Sequence, residues 1–265
     1  MKISKWLAVL MLFVSACCSC AGADKKEMKA SKIVALAKKG KPVHVVNKII
    51  FGDLDFTACG KPFILNANKL QCDIESNLFF EQCVFMGKVT SNGRLEKTPI
   101  QSCFRNHVIF TGCDFRGEVD FSEAIVFGMV NFGRSVFREK VKFNHIAVWA
   151  KHSFFSEMKA EKDFSMIDAA FAGSLNFFGA TFQGNAFFQE SSIKGKLLFN
   201  NATFMERAGF DIIQVWENAF FNYATFEKTA DFSWSRFMGL AEFANVNFAK
   251  EANFENTYFQ FKMTE

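Results

Sequence analysis

Five cysteines in the body of the chain are the side chains with the most reactive chemistry. Thiolates bind zinc, but such sites usually present cysteines in pairs two residues apart, and these five form no CxxC pair. Three of them stand two residues before a large apolar residue, so we expect buried thiols in positions that suit alanine. Oxidising conditions would permit disulfides, although an odd number cannot pair completely. The five are Cys59, Cys72, Cys83, Cys103 and Cys113.

The histidines and carboxylates show no catalytic arrangement. No HExxH metal motif, GxSxG nucleophile turn, phosphate-binding loop or dinucleotide fingerprint is present. The carboxylates are spread over outward positions, whereas glycoside hydrolysis requires a close pair. The sequence therefore predicts no catalytic residues, no metal site and no cofactor. The histidines are His44, His107, His145 and His152.

The first residues predict a targeting signal. Lys2 and Lys5 precede a short apolar run at 6–14, which is the order found in a secretory signal peptide. Val14-Ser15-Ala16-Cys17 resembles the lipobox of bacterial lipoproteins, and this resemblance implies that Cys17 carries the lipid. We thus expect a signal peptide at 1–16 and a lipid anchor and tether at 17–28. The alternative is cleavage after Ala23, which would release a soluble secreted protein.

A short period governs the rest of the chain, and Phe, with 37 copies in the full sequence, is its dominant residue. From 164 onwards a Phe or aliphatic residue recurs at alternating spacings of five and six, with a small or aliphatic residue two positions before it. Neither an α-helix nor a hairpin sheet gives this spacing. Because Ala-Thr-Phe recurs every 22 residues, the pattern predicts a solenoid with 22-residue coils. The three copies are Ala180-Thr181-Phe182, Ala202-Thr203-Phe204 and Ala224-Thr225-Phe226.

The same period runs less regularly towards the N-terminus. It continues from 104 to 154, and its phase slips by one residue between Phe154 and Phe155, which indicates a bulge or a loosened corner. A fainter stretch before it includes Phe56, Phe63 and Leu70. Residues 87–101 break the rhythm, and we expect them to form a loop that projects from a corner.

These units resemble the pentapeptide-repeat family, whose pattern is Ala-Asp/Asn-Leu/Phe-x-x. The resemblance covers roughly residues 50–260 and is most specific over 164–260, although every second unit has one additional residue. It implies an all-β fold, a right-handed quadrilateral parallel β-helix, in which the central Phe and the small residue before it point inward. The clearest units are Ala230-Asp231-Phe232-Ser233-Trp234 and Ala252-Asn253-Phe254-Glu255-Asn256.

The two ends of the predicted β-helix differ. An end coil exposes apolar rings and unpaired backbone groups, so solenoids need caps. Residues 29–49 are expected to form the N-terminal cap, beginning with a short helix that has Ile33 and Ala37 on its apolar face. The β-helix itself is assigned to 50–265. No comparable cap follows Phe259, and the family resemblance implies a homodimer through the C-terminal coil.

Apolar side chains at outward positions mark a possible interaction patch. Leu198 and Phe220 lie 22 residues apart and so fall on one face, with Trp216 and Tyr223 nearby. Phe178 and Phe187 are assigned to the same region. Exposed apolar surface is typical of a protein partner or a sugar-stacking site. Scattered surface aromatics in a Phe-rich chain are the alternative interpretation.

Charge and export together limit the classes of function. Residues 110–265 have 15 basic and 19 acidic side chains, whereas residues 1–109 have 16 and 8. A nucleic-acid binder would have a basic body, so we expect no nucleic acid as partner. The favoured hypothesis is a non-enzymatic, membrane-anchored scaffold of the cell envelope that binds an unknown protein or glycan. The alternatives are a topoisomerase-binding DNA mimic, which requires a strongly acidic surface, and a polysaccharide-acting β-helix enzyme, which requires clustered carboxylates.

Overall fold

The structure, a computed structural model, describes residues 25–262 as a four-sided solenoid of short, stacked parallel strands. Each regular coil adds one strand to each of four sheets, which we name faces 1 to 4 in their order around a coil. The predicted all-β parallel solenoid is confirmed. The predicted signal peptide and Cys17 lie outside the described residues.

Faces 1 and 2 are sheets of ten and eight strands. Face 1 consists of Lys26–Lys29, Lys48–Phe51, Val84–Phe85, Asp114–Phe115, Val136–Phe137, Lys159–Ala160, Thr181–Phe182, Thr203–Phe204, Thr225–Phe226 and Asn247–Phe248. Face 2 consists of Leu54–Asp55, Val89–Thr90, Val119–Asp120, Val141–Lys142, Phe164–Ser165, Ala186–Phe187, Ala208–Gly209 and Ala230–Asp231.

Faces 3 and 4 are sheets of eleven and nine strands. Face 3 consists of Phe63–Asn66, Lys69–Ile74, Asn92–Leu95, Thr98–Phe104, Ile125–Val126, Ala147–Val148, Ala170–Phe171, Ser192–Ile193, Gln214–Val215, Arg236–Phe237 and Tyr258–Phe259. Face 4 consists of Val43–Val46, Leu78–Glu81, Val108–Thr111, Val130–Asn131, His152–Phe154, Ser174–Asn176, Leu197–Leu198, Ala219–Phe220 and Ala241–Glu242.

Stacked phenylalanine rings fill the inside of the solenoid. Phe182, Phe204 and Phe226 are fully buried, and successive ring centroids are 4.9 and 4.6 Å apart with interplanar angles of 4° and 0°. Strands in a sheet are about 4.8 Å apart, so a ring from each coil stacks on the next without a gap. The small residues two positions earlier, such as Ala202, are equally buried. The alternation of large and small side chains therefore packs each layer.

Every second corner is a tight turn with one residue in the left-handed conformation. At the first regular example the Ala124 N–H donates to the Phe121 carbonyl, and Glu123 has a φ of 62°. A positive φ at the third residue is the geometry of a type II turn. These turns account for the five-residue spacings, and the longer corners between them for the six-residue spacings. From 123 on, the left-handed positions are Glu123, Arg134, His145, Glu157, Asp168, Gly179, Glu190, Asn201, Ile212, Tyr223, Trp234, Asn245 and Asn256.

The predicted phase slip has its origin between Val148 and Ser153, just before Phe155. Val126 pairs with Val148, 22 residues on, but Val130 pairs with Ser153, 23 residues on. The additional residue therefore lies in the corner at 149–152. As a result Phe155 is buried and takes the inward position, whereas Phe154 is only partly buried.

Charged side chains in the corner after face 1 help to fix the register between coils. The Asp53 carboxylate accepts a hydrogen bond from the Lys88 N–H at 2.9 Å, and the Lys88 ammonium is 2.9 Å from Glu118. Two coils further on, Lys140 and Asp163 are 3.9 Å apart. The ion pair with Lys88 lowers the pKa of Glu118. Exposed pairs of this kind contribute little stability each, up to about 1 kcal/mol, but a shifted register would place like charges together.

A helix covers the N-terminal end of the solenoid. The helix spans Ala30–Ala37 and buries Ala30, Ile33 and Ala37 against the core. The helix lies within the segment 29–49 that was assigned to the cap, but the residues before it differ from the prediction. Lys26–Lys29 form a strand that pairs in parallel with Lys48–Phe51, so the end of the segment predicted as tether belongs to the sheet.

Two hairpins interrupt the early coils and extend face 3. Phe63–Asn66 pairs antiparallel with Lys69–Ile74, after a short 3-10 helix at Phe56–Ala58, and Asn92–Leu95 pairs antiparallel with Thr98–Phe104. The loop predicted at 87–101 is therefore largely a hairpin. Phe63 is 45% exposed and does not point inward as the faint periodicity predicted, because its strand pairs within the hairpin.

Candidate interaction surfaces

The predicted patch lies around face 4. Leu198 and Phe220 are partners in neighbouring strands of this face, and both are half-buried. Trp216 lies in the corner before face 4, 47% exposed, and Tyr223 in the corner after it, 61% exposed. The four residues thus share one side of the solenoid, with the two most exposed rings at its opposite edges.

Two further aromatic residues do not extend this patch together. Phe178 is exposed and follows the face 4 strand Ser174–Asn176, so it lies on the same side. Phe187 belongs to face 2, which is opposite face 4. Its assignment to the patch was wrong, because residues that are half a coil apart along the chain lie on opposite faces of the solenoid.

A column of cations and aromatic rings runs along the corner after face 3. The sequence analysis did not predict this column. The Arg105 guanidinium lies 5.1 Å from the Phe127 ring centroid, and the rings of Phe127 and Trp149 stack at 6.3 Å. Further along, the Lys194 ammonium lies 3.6 Å from the Trp216 ring centroid. The 22-residue register would have revealed this column, since each member is the residue after a face 3 strand.

The ring contacts of the column link neighbouring coils. Phe127 and Trp149 stack with an interplanar angle of 13°, and Lys194 covers one face of Trp216. Cation–π contacts contribute about 0.5–1 kcal/mol at exposed sites. Trp149 and Trp216 are still 62% and 47% exposed. The column therefore stabilises the stack of coils and also presents aromatic surface to solvent.

A polar cleft lies where the Asn92–Leu95 hairpin strand meets face 2. Its volume is about 370 Å³, and its lining includes Arg94, Asp120, Glu123, Lys142 and His145. The carboxylates are already engaged. Asp120 accepts hydrogen bonds from the Asn92 amide and the Ser122 N–H, and Glu123 forms an ion pair with Lys69.

The cations of this cleft are less engaged than its carboxylates. The His145 ring nitrogen is 2.9 Å from the Asp168 carboxylate. In contrast, neither Arg94 nor Lys142 forms an ion pair within residues 25–262. The cleft can therefore accept an anionic group.

The C-terminal end of the solenoid is an open, mainly apolar cavity. Its volume is about 490 Å³, and Phe243, Val246, Phe248 and Phe254 contribute most of its apolar lining. Val246, Phe248 and Phe254 are only partly buried, whereas the equivalent residues of inner coils are fully buried. No described residue covers this end as the helix covers the other.

The three cysteines predicted to be buried, Cys72, Cys83 and Cys113, are buried, and so are Cys59 and Cys103. Four of the five thiols have a raised pKa. Burial raises the pKa of Cys59 to about 12 and that of Cys103 to about 11. Burial also raises the pKa of Cys72 and, most strongly, that of Cys113. The exception is Cys83, whose pKa falls to about 7, chiefly because of a hydrogen bond with the Cys113 thiol.

The histidines make separate, local contacts. The His44 ring is 3.3 Å from Glu81, and the His107 Nδ1 accepts a hydrogen bond from the Met129 N–H at 2.9 Å. Together with the His145–Asp168 pair, these contacts link neighbouring coils. Across residues 25–262 no group of three or more His, Cys, Asp or Glu side chains is arranged to hold a metal ion.

Comparison with known proteins gives one match. Residues 215–257 match the family model described as "Pentapeptide repeats (9 copies)". No curated protein and no solved structure matches the chain. In the part of the chain that the structure describes, no helix is long and apolar enough to span a bilayer. The matched residues belong to the last coils of the solenoid, and the coils before them have the same four-faced arrangement.

Proposed function

We propose that this structural repeat protein is a non-enzymatic scaffold of the bacterial cell envelope. In this proposal the chain is exported, is anchored by a lipid on Cys17, and joins a second copy through its C-terminal coil while its sides remain free for a protein partner. The repeat solenoid and the family match support the scaffold role, and the observation that carries the proposed self-association is the asymmetry of the two ends. The N-terminal end is closed by a helix, but the core remains accessible at the other end.

The C-terminal end is suited to a second copy of the chain. Its last strands, Asn247–Phe248 and Tyr258–Phe259, are the terminal members of their sheets and have one free backbone edge each. Apolar rings such as Phe254 lie between these edges. Two identical ends can meet across a twofold axis and bury both surfaces, which is the commonest form of protein dimer. Docking end to end would also leave the aromatic column and the polar cleft accessible.

Substitution of Val246 by arginine should convert a dimer into a monomer. Val246 is half-buried and lines the C-terminal cavity, so the guanidinium would be enclosed without a partner in the dimer, at a cost of several kcal/mol. In the free coil it can extend into water, and the fold should be retained. Light scattering on the purified full chain measures the mass, and circular dichroism monitors the fold.

The matched control is Leu198→Arg. Leu198 is also half-buried and apolar, but it lies on face 4, two coils from the C-terminal end. This variant should remain dimeric. A monomeric wild type at micromolar concentration, or a Val246→Arg variant that is still dimeric, would show that the end is not a self-association surface.

Substitution of Cys17 by serine should release the protein from the membrane fraction. A serine hydroxyl cannot form the thioether that attaches the lipid in the proposed anchor. Fractionation of bacterial cells followed by detection of the protein measures the distribution. Cys18→Ser is the matched control and should stay with the membrane. An equal distribution of the wild type and the two variants between the fractions would favour cleavage after Ala23. Affinity capture with the anchored chain would identify partners.

A further inference from the structure

We propose that Cys83 and Cys113 form a disulfide that links two successive coils of the solenoid. This inference does not depend on the proposed export, although an oxidising compartment would preserve the bond. Both thiols point into the core at equivalent positions. Each lies two residues before the central residue of a face 1 strand, Phe85 in one coil and Phe115 in the next.

The backbone holds the two cysteines in neighbouring strands. Val84 pairs with Asp114 and Phe85 with Phe115 in parallel register, and the Asp114 N–H donates to the Cys83 carbonyl at 2.8 Å. Such strands are about 4.8 Å apart. Disulfides join Cα atoms that are about 4.4–6.8 Å apart. The Cα spacing of the two strands therefore falls within the range found for disulfides.

The environment of the two thiols also favours this pair. Cys83 and Cys113 are 0% and 1% exposed, and each thiol shifts the pKa of the other. In the folded coil the contact with Cys113 lowers the pKa of Cys83 to about 7, whereas burial and the same contact raise the pKa of Cys113. Cys83 is thus the more readily ionised thiol of the folded pair. Because both are buried in the folded coil, the bond must form before the coil closes.

The reaction is an ordinary thiol–disulfide exchange with a small or protein disulfide as oxidant, for example oxidised glutathione. The Cys83 thiolate attacks one sulfur of the oxidant, forms a mixed disulfide and releases one thiol. The Cys113 thiolate, after losing its proton to solvent, then attacks the Cys83 sulfur. The Cys83–Cys113 bond forms and a second thiol leaves. The protein loses two electrons and two protons, and the oxidant is reduced to two thiols.

A structural role without oxidation is the competing interpretation. The Cys83 thiol lies 3.4 Å from the Val45 carbonyl and the Cys113 thiol 3.5 Å from the Phe80 carbonyl. In the next coil the Ser135 hydroxyl donates to the Phe110 carbonyl in the same way, at 2.8 Å. Serine at this position indicates that replacement of either cysteine by serine should preserve the fold.

Peptide mapping of the full chain distinguishes the two interpretations. The chain is refolded with mixed oxidised and reduced glutathione, the remaining thiols are alkylated under denaturing conditions, and the protein is cleaved after Lys, Arg and Glu. Cleavage after Glu81 separates Cys83 from Cys72, so residues 82–88 and 106–116 each contain one cysteine. We expect these two peptides to be recovered mainly as a linked pair that disappears on reduction. Cys59, Cys72 and Cys103 should be recovered in alkylated form.

Two variants complete the test. Cys83→Ser should abolish the linked pair and leave Cys113 alkylated, with an unchanged circular dichroism spectrum. Cys59→Ser should leave the linked pair intact. Recovery of both peptides in alkylated form from folded wild-type protein, or linkage of either cysteine mainly to a different partner, would overturn the proposal.

Discussion

Replacement of Phe204 by alanine should destabilise the solenoid by about 3–5 kcal/mol, the cost of removing a fully buried Phe side chain. The ring of Phe204 lies between those of Phe182 and Phe226 and is 5.7 Å from Phe210, edge to face. The substitution removes these ring contacts and leaves a cavity. The strands cannot move together to fill the cavity, because their spacing is fixed by the sheets. The shift of the urea midpoint of the full chain, at unchanged slope, measures the effect.

Phe187→Ala is the matched control for this prediction. Phe187 lies in the coil before that of Phe204, but it points outward on face 2 and is half-buried. Its loss should cost less than about 1 kcal/mol, as is usual for surface substitutions. Equal effects of the two substitutions would mean that the stacked phenylalanine rings inside the solenoid are not the core of the protein.

Replacement of Ile33 by aspartate should unfold the N-terminal coils selectively. Ile33 is fully buried where the helix covers the first coils. A carboxylate without a partner at this position costs about 3 kcal/mol or more, so the helix should detach and expose the apolar end. Because each coil contacts only its neighbours, the loss should decrease along the solenoid. Hydrogen exchange should show lost protection in Val43–Val46 and Lys48–Phe51 and retained protection beyond 164.

Lys32→Asp provides the control for the cap. Lys32 is adjacent to Ile33 in the helix but is exposed, so the new carboxylate remains in water and protection should be unchanged. Uniform loss of protection along the whole chain in Ile33→Asp would contradict local capping and indicate a single cooperative unit. Protection equal to wild type would show that the helix does not stabilise the end.

The regular coils could be predicted from the sequence because their packing constrains every residue. The predicted 22-residue register is confirmed by the direct pairing of Thr181 with Thr203 and of Thr203 with Thr225. An inward position must be apolar in each coil, and a slip by one residue would turn the side chains to the opposite side. Periodicity therefore identifies the core, and the burial of Cys72, Cys83 and Cys113 followed from the same argument.

The early coils could not be predicted equally well, since hairpins satisfy their own backbone hydrogen bonds outside the repeat. Phe63 has the expected residue type at nearly the expected spacing, yet its strand pairs with Lys69–Ile74 in a hairpin. The polar cleft was missed for a related reason. Arg94 and Lys142 are 48 positions apart, and they lie together because the second hairpin reaches back over face 2. No local pattern records such a contact.

The account as a whole depends on coils of constant rise, which distances between spin labels measure directly. Val136 and Asn247 lie on face 1, five coils apart, and Thr181 and Asn247 lie three coils apart. At about 4.8 Å per coil, labels on cysteines introduced at these positions should be separated by about 24 and 14 Å respectively. Labels on one face point in the same direction, so the difference should be about 10 Å. A broad distribution, or two separations that do not scale with the number of coils, would contradict the stacked solenoid.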